Sequence, residues 1–169
     1  MADPTHYDRL GLPRRFSVDP AELERAYLAR SRDVHPDFHV AGSGADLAAS
    51  LEASAAVNEA YNTLRDPFAR AEYLLALEGG PTAAEQKQMP PAFLAEMLDA
   101  REQIEQARGD PDATARLETA FQARHDALMA EVAAAFAPGT PDMPTRQKIR
   151  ATLNAAKYVR SLLRDLHTD

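Results

Sequence analysis

The balance between helix-forming and β-branched residues constrains this chain most. Among 169 residues there are 34 Ala and 18 Leu, against 8 Val and Ile together. Ala and Leu lose least on entering a helix, whereas strands favour β-branched and aromatic side chains. No segment alternates polar and apolar residues long enough to predict a strand. The chain is therefore expected to be all-α.

Proline, glycine and aspartate punctuate the helices. His6–Leu10 reads as a short helix stopped by Gly11 and Pro13. Asp19-Pro20-Ala21-Glu22 is a start signal: Asp19 can accept from orphan amides, Pro20 suits the first turn, and Glu22 completes a capping box. That helix is expected to end near Val34, before Pro36. His35–Gly44 reads as a loop and Ala45–Leu64 as the next helix, with Leu47, Leu51, Ser54, Asn58, Tyr61 and Leu64 on one broad stripe. Asp66-Pro67 restarts the chain into Phe68–Glu78, which Gly79-Gly80-Pro81 ends.

Residues 81–91 hold three prolines and little apolar bulk, so they read as a connector. Beyond them Pro91–Arg108, Asp112–Phe136 and Pro144–His167 predict three helices joined by short turns, an antiparallel bundle. The expected organisation is an N-terminal helical domain over 1–80, the connector over 81–91 and the bundle over 92–169.

Charge and composition exclude several functions. Lys and Arg number 19 against 26 Asp and Glu, a net −7, which argues against nucleic-acid or anionic-membrane binding. There is no Cys, so disulfides, thiolate metal sites and Cys nucleophiles are excluded. No uncharged apolar run approaches a spanning helix, and Met1-Ala2-Asp3-Pro4 resembles neither a secretory signal nor a transit peptide. A cytoplasmic protein is expected. There is no nucleophile elbow and no Gly-rich phosphate loop.

The motif that stands out is His35-Pro36-Asp37, in the loop after the capped helix. It is preceded by Tyr7-Asp8-Arg9-Leu10-Gly11-Leu12 and followed by Tyr61-Asn62-Thr63-Leu64-Arg65-Asp66-Pro67. This arrangement resembles a J-domain. Two further blocks, Arg70-Ala71-Glu72-Tyr73-Leu74-Leu75 and Ala92-Phe93-Leu94-Ala95-Glu96-Met97-Leu98-Asp99-Ala100-Arg101-Glu102, are similar to the HscB family of J-type co-chaperones of iron–sulfur cluster assembly. The resemblance covers nearly the whole chain and is weakest between Asp110 and Pro144.

The resemblance implies an N-terminal J-domain that docks on a DnaK/HscA-type chaperone ATPase and stimulates it. It implies a C-terminal bundle that presents the scaffold protein IscU. No catalytic centre, metal or cofactor is expected in the chain itself. Some family members carry a Cys-rich zinc module, which this chain cannot have.

The resemblance assigns the chaperone contacts to His35, Pro36 and Asp37, with Arg25 and Arg32 on the helix before the loop. Chemically, Pro36 fixes φ and stiffens the turn, His35 can donate and accept, and Asp37 can accept from an Arg. Arg30 shares the side of Leu23, Tyr27 and Val34, where its stem can lie over the core. The resemblance places scaffold binding at Leu94, Leu98, Asp99, Arg101, Glu102 and Tyr158. Periodicity is compatible with this: Met97, Ala100, Ile104 and Ala107 follow one inward stripe, and Leu94 and Leu98 form a separate edge, which spacing alone leaves free either to widen the core or to meet a partner. Ala95 is smaller than the usual family residue. Two other readings compete: a J-domain protein with a different client, and a metal-dependent hydrolase using His35, Asp37 and His39.

Overall fold

The computed structural model describes residues 3–34 and 44–168, with backbone only for Gly44 and Ala45. All regular elements among them are helices: α1 (His6–Leu10), α2 (Pro20–Val34), α3 (Gly44–Arg65), α4 (Pro67–Leu77), α5 (Pro91–Ala107), α6 (Pro111–Phe136) and α7 (Met143–Asp165). The all-α expectation holds, and each boundary lies within two residues of the expected one.

Aspartate with proline in the following two residues opens several of these helices. Asp19 accepts from the Ala21 amide at 3.1 Å, and Asp66 from that of Phe68 at 3.0 Å. Asp110 accepts from Asp112 and Ala113, both at 3.0 Å, and Asp142 from Thr145 at 2.9 Å. Each carboxylate satisfies first-turn amides that have no partner inside the helix, worth about 1 kcal/mol apiece. Pro67 and Pro111 belong to their helices because the first turn needs no amide donor. The Glu22 carboxylate lies 3.7 Å from Arg15. A reciprocal capping box forms at Thr5, whose hydroxyl accepts from the Asp8 amide (3.2 Å) while Asp8 accepts from the Thr5 amide (2.9 Å).

The chain divides into two compact units, residues 1–74 and 75–169. In the first, α1 and α2 pack on α3. Tyr7, Leu10, Leu23, Val57, Ala60, Leu64 and Leu74 are buried there. Arg70 is buried as well, and its guanidinium donates to the Leu64 carbonyl at the end of α3 and lies 5.0 Å over the Phe16 ring. Its positive charge is thus spent closing a helix terminus, where cations are favoured.

One expected face is corrected. Leu47 and Leu51 are exposed, and the buried positions of the same half of α3 include Ser50. The Ser50 hydroxyl donates to the Val34 carbonyl at 2.6 Å, and Ser54 donates to the same oxygen at 3.1 Å. The orphan carbonyl at the end of α2 needs donors more than α3 needs to bury leucine, and this sets the rotation of the helix.

In the second unit α6 packs along α7, and α5 lies against both. Met97, Ile104, Leu128, Val132, Phe136, Ile149, Leu153, Val159 and Leu162 are among its buried residues. Residues 81–86 are bound to α7. Arg150 donates from Nε to the Pro81 carbonyl (2.9 Å), Asn154 from Nδ2 to the Gln86 carbonyl (2.6 Å), and Gln86 from Nε2 to the Gln147 carbonyl (2.8 Å). Arg150 and Asn154 are both buried. Gly80 permits the turn out of α4: a Cβ there would fall 2.3 Å from Leu75 Cδ1.

Candidate interaction surfaces

Each unit carries one candidate surface. In the first it is the α2–α3 hairpin. Tyr27 of α2 stacks on Tyr61 of α3 with centroids 4.2 Å apart, and its hydroxyl donates to Asn58 Oδ1 at 2.9 Å. Near the other end of the pair, Ser50 and Ser54 hold the Val34 carbonyl. The hairpin is fastened at both ends, which fixes where α2 stops and α3 begins. His35, Pro36 and Asp37 lie between those points and outside the described residues, as does His39.

Arg25 and Arg32 are exposed on α2. Their seven-residue spacing puts them on one face, with Leu28 and Ala29 between them at helical intervals. Leu28 is 48% exposed and Ala29 is exposed too. Leu28 is the residue that motif reasoning passed over, although its three-residue spacing from Arg25 puts it on that face. Arg30 turns away from this face. It pairs with Asp33 at 3.8 Å, and its Nη2 lies 3.2 Å from where a Cβ on Gly11 would sit, beside the end of α1. Asp33 thus holds a neighbouring cation instead of facing outward alone.

In the second unit the surface is the edge formed by α5 and α7. Met97, Ala100, Ile104 and Ala107 are buried, as their spacing predicts. Leu94 and Leu98 are 40% and 66% exposed. Asp99, Arg101 and Glu102 are exposed, with Arg101 and Glu102 continuing the Leu94–Leu98 face and Asp99 flanking it. Tyr158 of α7 is 37% exposed and meets the Phe93 ring edge-on at 5.7 Å, which brings α7 to the start of this edge. Exposed leucines with a charged rim are the pattern of a protein-binding patch.

Ionisable groups elsewhere serve local structure. Hydrogen bonds from Thr5, Thr82 and Thr145 hold Asp8, Glu85 and Asp142 below the ordinary carboxylate range. His6 stacks on Tyr73 at 4.2 Å, and its backbone amide donates to the Tyr73 hydroxyl at 2.9 Å. Burial holds its imidazole below the ordinary histidine value. Among the described residues no group of His, Asp and Glu is arranged to hold a metal ion, and no helix is long and apolar enough to cross a membrane.

Comparison with known proteins matches both units. Residues 5–73 match the DnaJ domain model, and residues 89–167 match the HSCB C-terminal oligomerisation domain. A co-chaperone protein HscB homolog of Bordetella pertussis is 42% identical over 118 residues, 69% of each chain. One of Chromobacterium violaceum is 41% identical over 131 residues, covering 77% of this chain and 75% of that one. Among solved structures, chaperone HscB from Vibrio cholerae superposes with a TM-score of 0.81 at 27% identity, over 96% of this chain and 94% of that one. Human co-chaperone protein HscB gives a TM-score of 0.84 at 28% identity, over 98% and 82%.

Proposed function

Since the chain belongs to the HscB family of J-domain co-chaperones, we propose that it stimulates the ATPase of a DnaK/HscA-type chaperone and delivers the iron–sulfur scaffold IscU to it. In this reading the chain catalyses no reaction of its own and works in the cytoplasm. Residues 1–80 act as the J-domain, 92–169 as the client-binding bundle, and 81–91 lie between them.

The chaperone contact consists of the His35-Pro36-Asp37 loop and the outer face of α2, with Arg25, Leu28 and Arg32. Arginines around an exposed leucine suit an acidic surface with an apolar spot, and salt weakens such docking. Stimulation requires that this contact favour the chaperone conformation that leads to hydrolysis, because a ligand with equal affinity for two states shifts nothing.

The observation that carries the client half is the edge of Leu94, Leu98 and Tyr158. Leu98, two-thirds exposed, sits on a helix whose other stripe already fills the bundle core. A partner that covers the edge gains its hydrophobic burial without disturbing that core. Carrying the J-domain and the client on one chain raises the client's local concentration at the chaperone.

A steady-state ATPase assay tests the whole reading. The chaperone is measured alone, with the chain, and with the chain plus IscU. The chain should accelerate hydrolysis, and IscU should raise the rate further. No acceleration by the chain rejects the J-domain role. Acceleration that IscU leaves unchanged, with no IscU retained by the chain in a pull-down, favours a different client.

A further inference from the structure

Beside the Phe93–Tyr158 contact, α7 with Ala83 and Lys87 borders an open cavity of about 290 Å³ lined by Lys87, Lys157 and Arg164, with Asn154, Tyr158 and Ser161. No acidic residue lines it. Among the described residues none of the three cations is in an ion pair, and Arg164 donates to the neutral Ser161 hydroxyl at 3.2 Å. On a chain of net charge −7, three convergent uncompensated cations mark a built feature.

Its construction is specific. Lys157 and Arg164 are seven residues apart on one face of α7. Lys87 reaches the same cavity because the preceding residue is clamped to α7, the Gln86 carbonyl by Asn154 and its side chain by the Gln147 carbonyl. The buried Asn154 therefore both lines the cavity and fixes one of its cations.

The charge is also polarised across the edge. The exposed Asp99 and Glu102 of α5 flank the leucines, whereas the exposed Lys157 and Arg164 of α7 line the cavity beside Tyr158. Leu94 and Leu98 border the acidic side, and Tyr158 borders the basic cavity. We propose that this cavity is an anion subsite that receives a carboxylate side chain of the scaffold protein docked on the Leu94–Leu98 edge, and so sets the orientation in which that protein binds.

This inference rests on the scaffold reading above. A tethered carboxylate is favoured over a free anion because the cations are exposed, and exposed pairs contribute little by themselves. A carboxylate already held by the adjoining apolar contact binds intramolecularly, at a high effective concentration. Opposite charges on the two sides would disfavour a reversed docking through like-charge contacts.

Calorimetry of the full chain with IscU at low and high salt tests the subsite. Three double variants are compared with wild type: Lys157→Glu with Arg164→Glu, Lys157→Gln with Arg164→Gln, and Leu94→Ala with Leu98→Ala. Charge reversal should raise Kd roughly tenfold or more at low salt and reduce its increase with salt. The glutamine pair should give a smaller loss in the same direction. The leucine pair should weaken binding and keep the salt dependence. Wild-type Kd and salt dependence in both charge variants, with the leucine pair weakened, overturns the subsite and leaves the scaffold reading standing. Absence of IscU binding by wild type overturns the scaffold reading and the subsite with it. Sub-millimolar binding of inorganic phosphate to the chain alone, lost in the glutamine variant, overturns the tethered carboxylate in favour of a free-anion site.

Discussion

Replacing Asn154 with Ala should release residues 81–88 from α7 and weaken the second unit measurably. The Asn154 side chain is 7% exposed, donates to the Gln86 carbonyl at 2.6 Å and accepts from Arg150 Nη1 at 3.5 Å. The first bond is short and part-buried; the second is at the limit of a useful contact. Loss of a net hydrogen bond costs about 1 kcal/mol, and a carbonyl left unpaired adds to it, so the variant should lose about 1–2 kcal/mol. For a unit of about 95 residues this is a fall in Tm of roughly 5–10 °C. Gln86→Ala is the control, because it removes only the exposed bond to the Gln147 carbonyl and should cost about 0.5 kcal/mol. Calorimetric melting gives both losses, and hydrogen exchange follows the Gln86 amide, which donates to the Thr82 carbonyl at 3.1 Å. Equal losses in the two variants, or unchanged exchange at residues 82–88 in Asn154→Ala, would refute the clamp.

Three other outcomes are expected. Asp37→Asn should abolish stimulation of the chaperone ATPase while circular dichroism and Tm stay at wild-type values; stimulation at the wild-type level would reject the loop's role. Ser50→Ala should cost about 1 kcal/mol in urea unfolding, because Ser54 at 3.1 Å is then left to satisfy the Val34 carbonyl. His6 binds its proton more weakly folded than unfolded, so below the unfolded value near 6.5 the unfolded chain holds more protons. The contribution of His6 to stability should therefore be present above that pH and decline as pH falls below it, and His6→Phe should flatten the fall of the urea midpoint below about pH 6.5.

What the sequence revealed followed from local chemistry. Asp19-Pro20, Asp66-Pro67 and Asp110-Pro111 each state a cap and a first turn within two residues, so the helix starts could be read to within a residue or two. Helical spacing separated Leu94 and Leu98 from the stripe of Met97 and Ile104, but it left open whether they widen the core; the family resemblance pointed to the exposed edge that the structure has. Illegible features were set by distant partners. Nothing near Ser50 announces that it will close α2 through a carbonyl sixteen residues earlier and displace Leu47 and Leu51 outward. Arg30 lies beside Gly11 at the end of α1, nineteen residues earlier, and Lys87 joins Lys157 and Arg164 through the bonds that Asn154 and Gln147 make to Gln86.

These distant contacts share one physical logic. At Val34 and Gln86 a backbone carbonyl without a helical partner is satisfied by a side chain far along the chain, Ser50 and Asn154 respectively, and at Leu64 by Arg70, six residues on. Two of these closures lie at the ends of helices, and the third lies in the stretch between α4 and α5. An interaction surface needs side chains held at fixed separations, and in a chain this rich in alanine the helix faces offer little interlocking bulk to hold them. Polar closures supply the missing registration, since a buried carbonyl accepts only at short range and from the right direction. The end of α2 and the stretch before Lys87 are therefore held where a small polar residue, Ser50 or Asn154, is buried, and there a volume-conserving apolar substitution should loosen that registration, which hydrogen exchange at the Gln86 amide would report for Asn154→Leu.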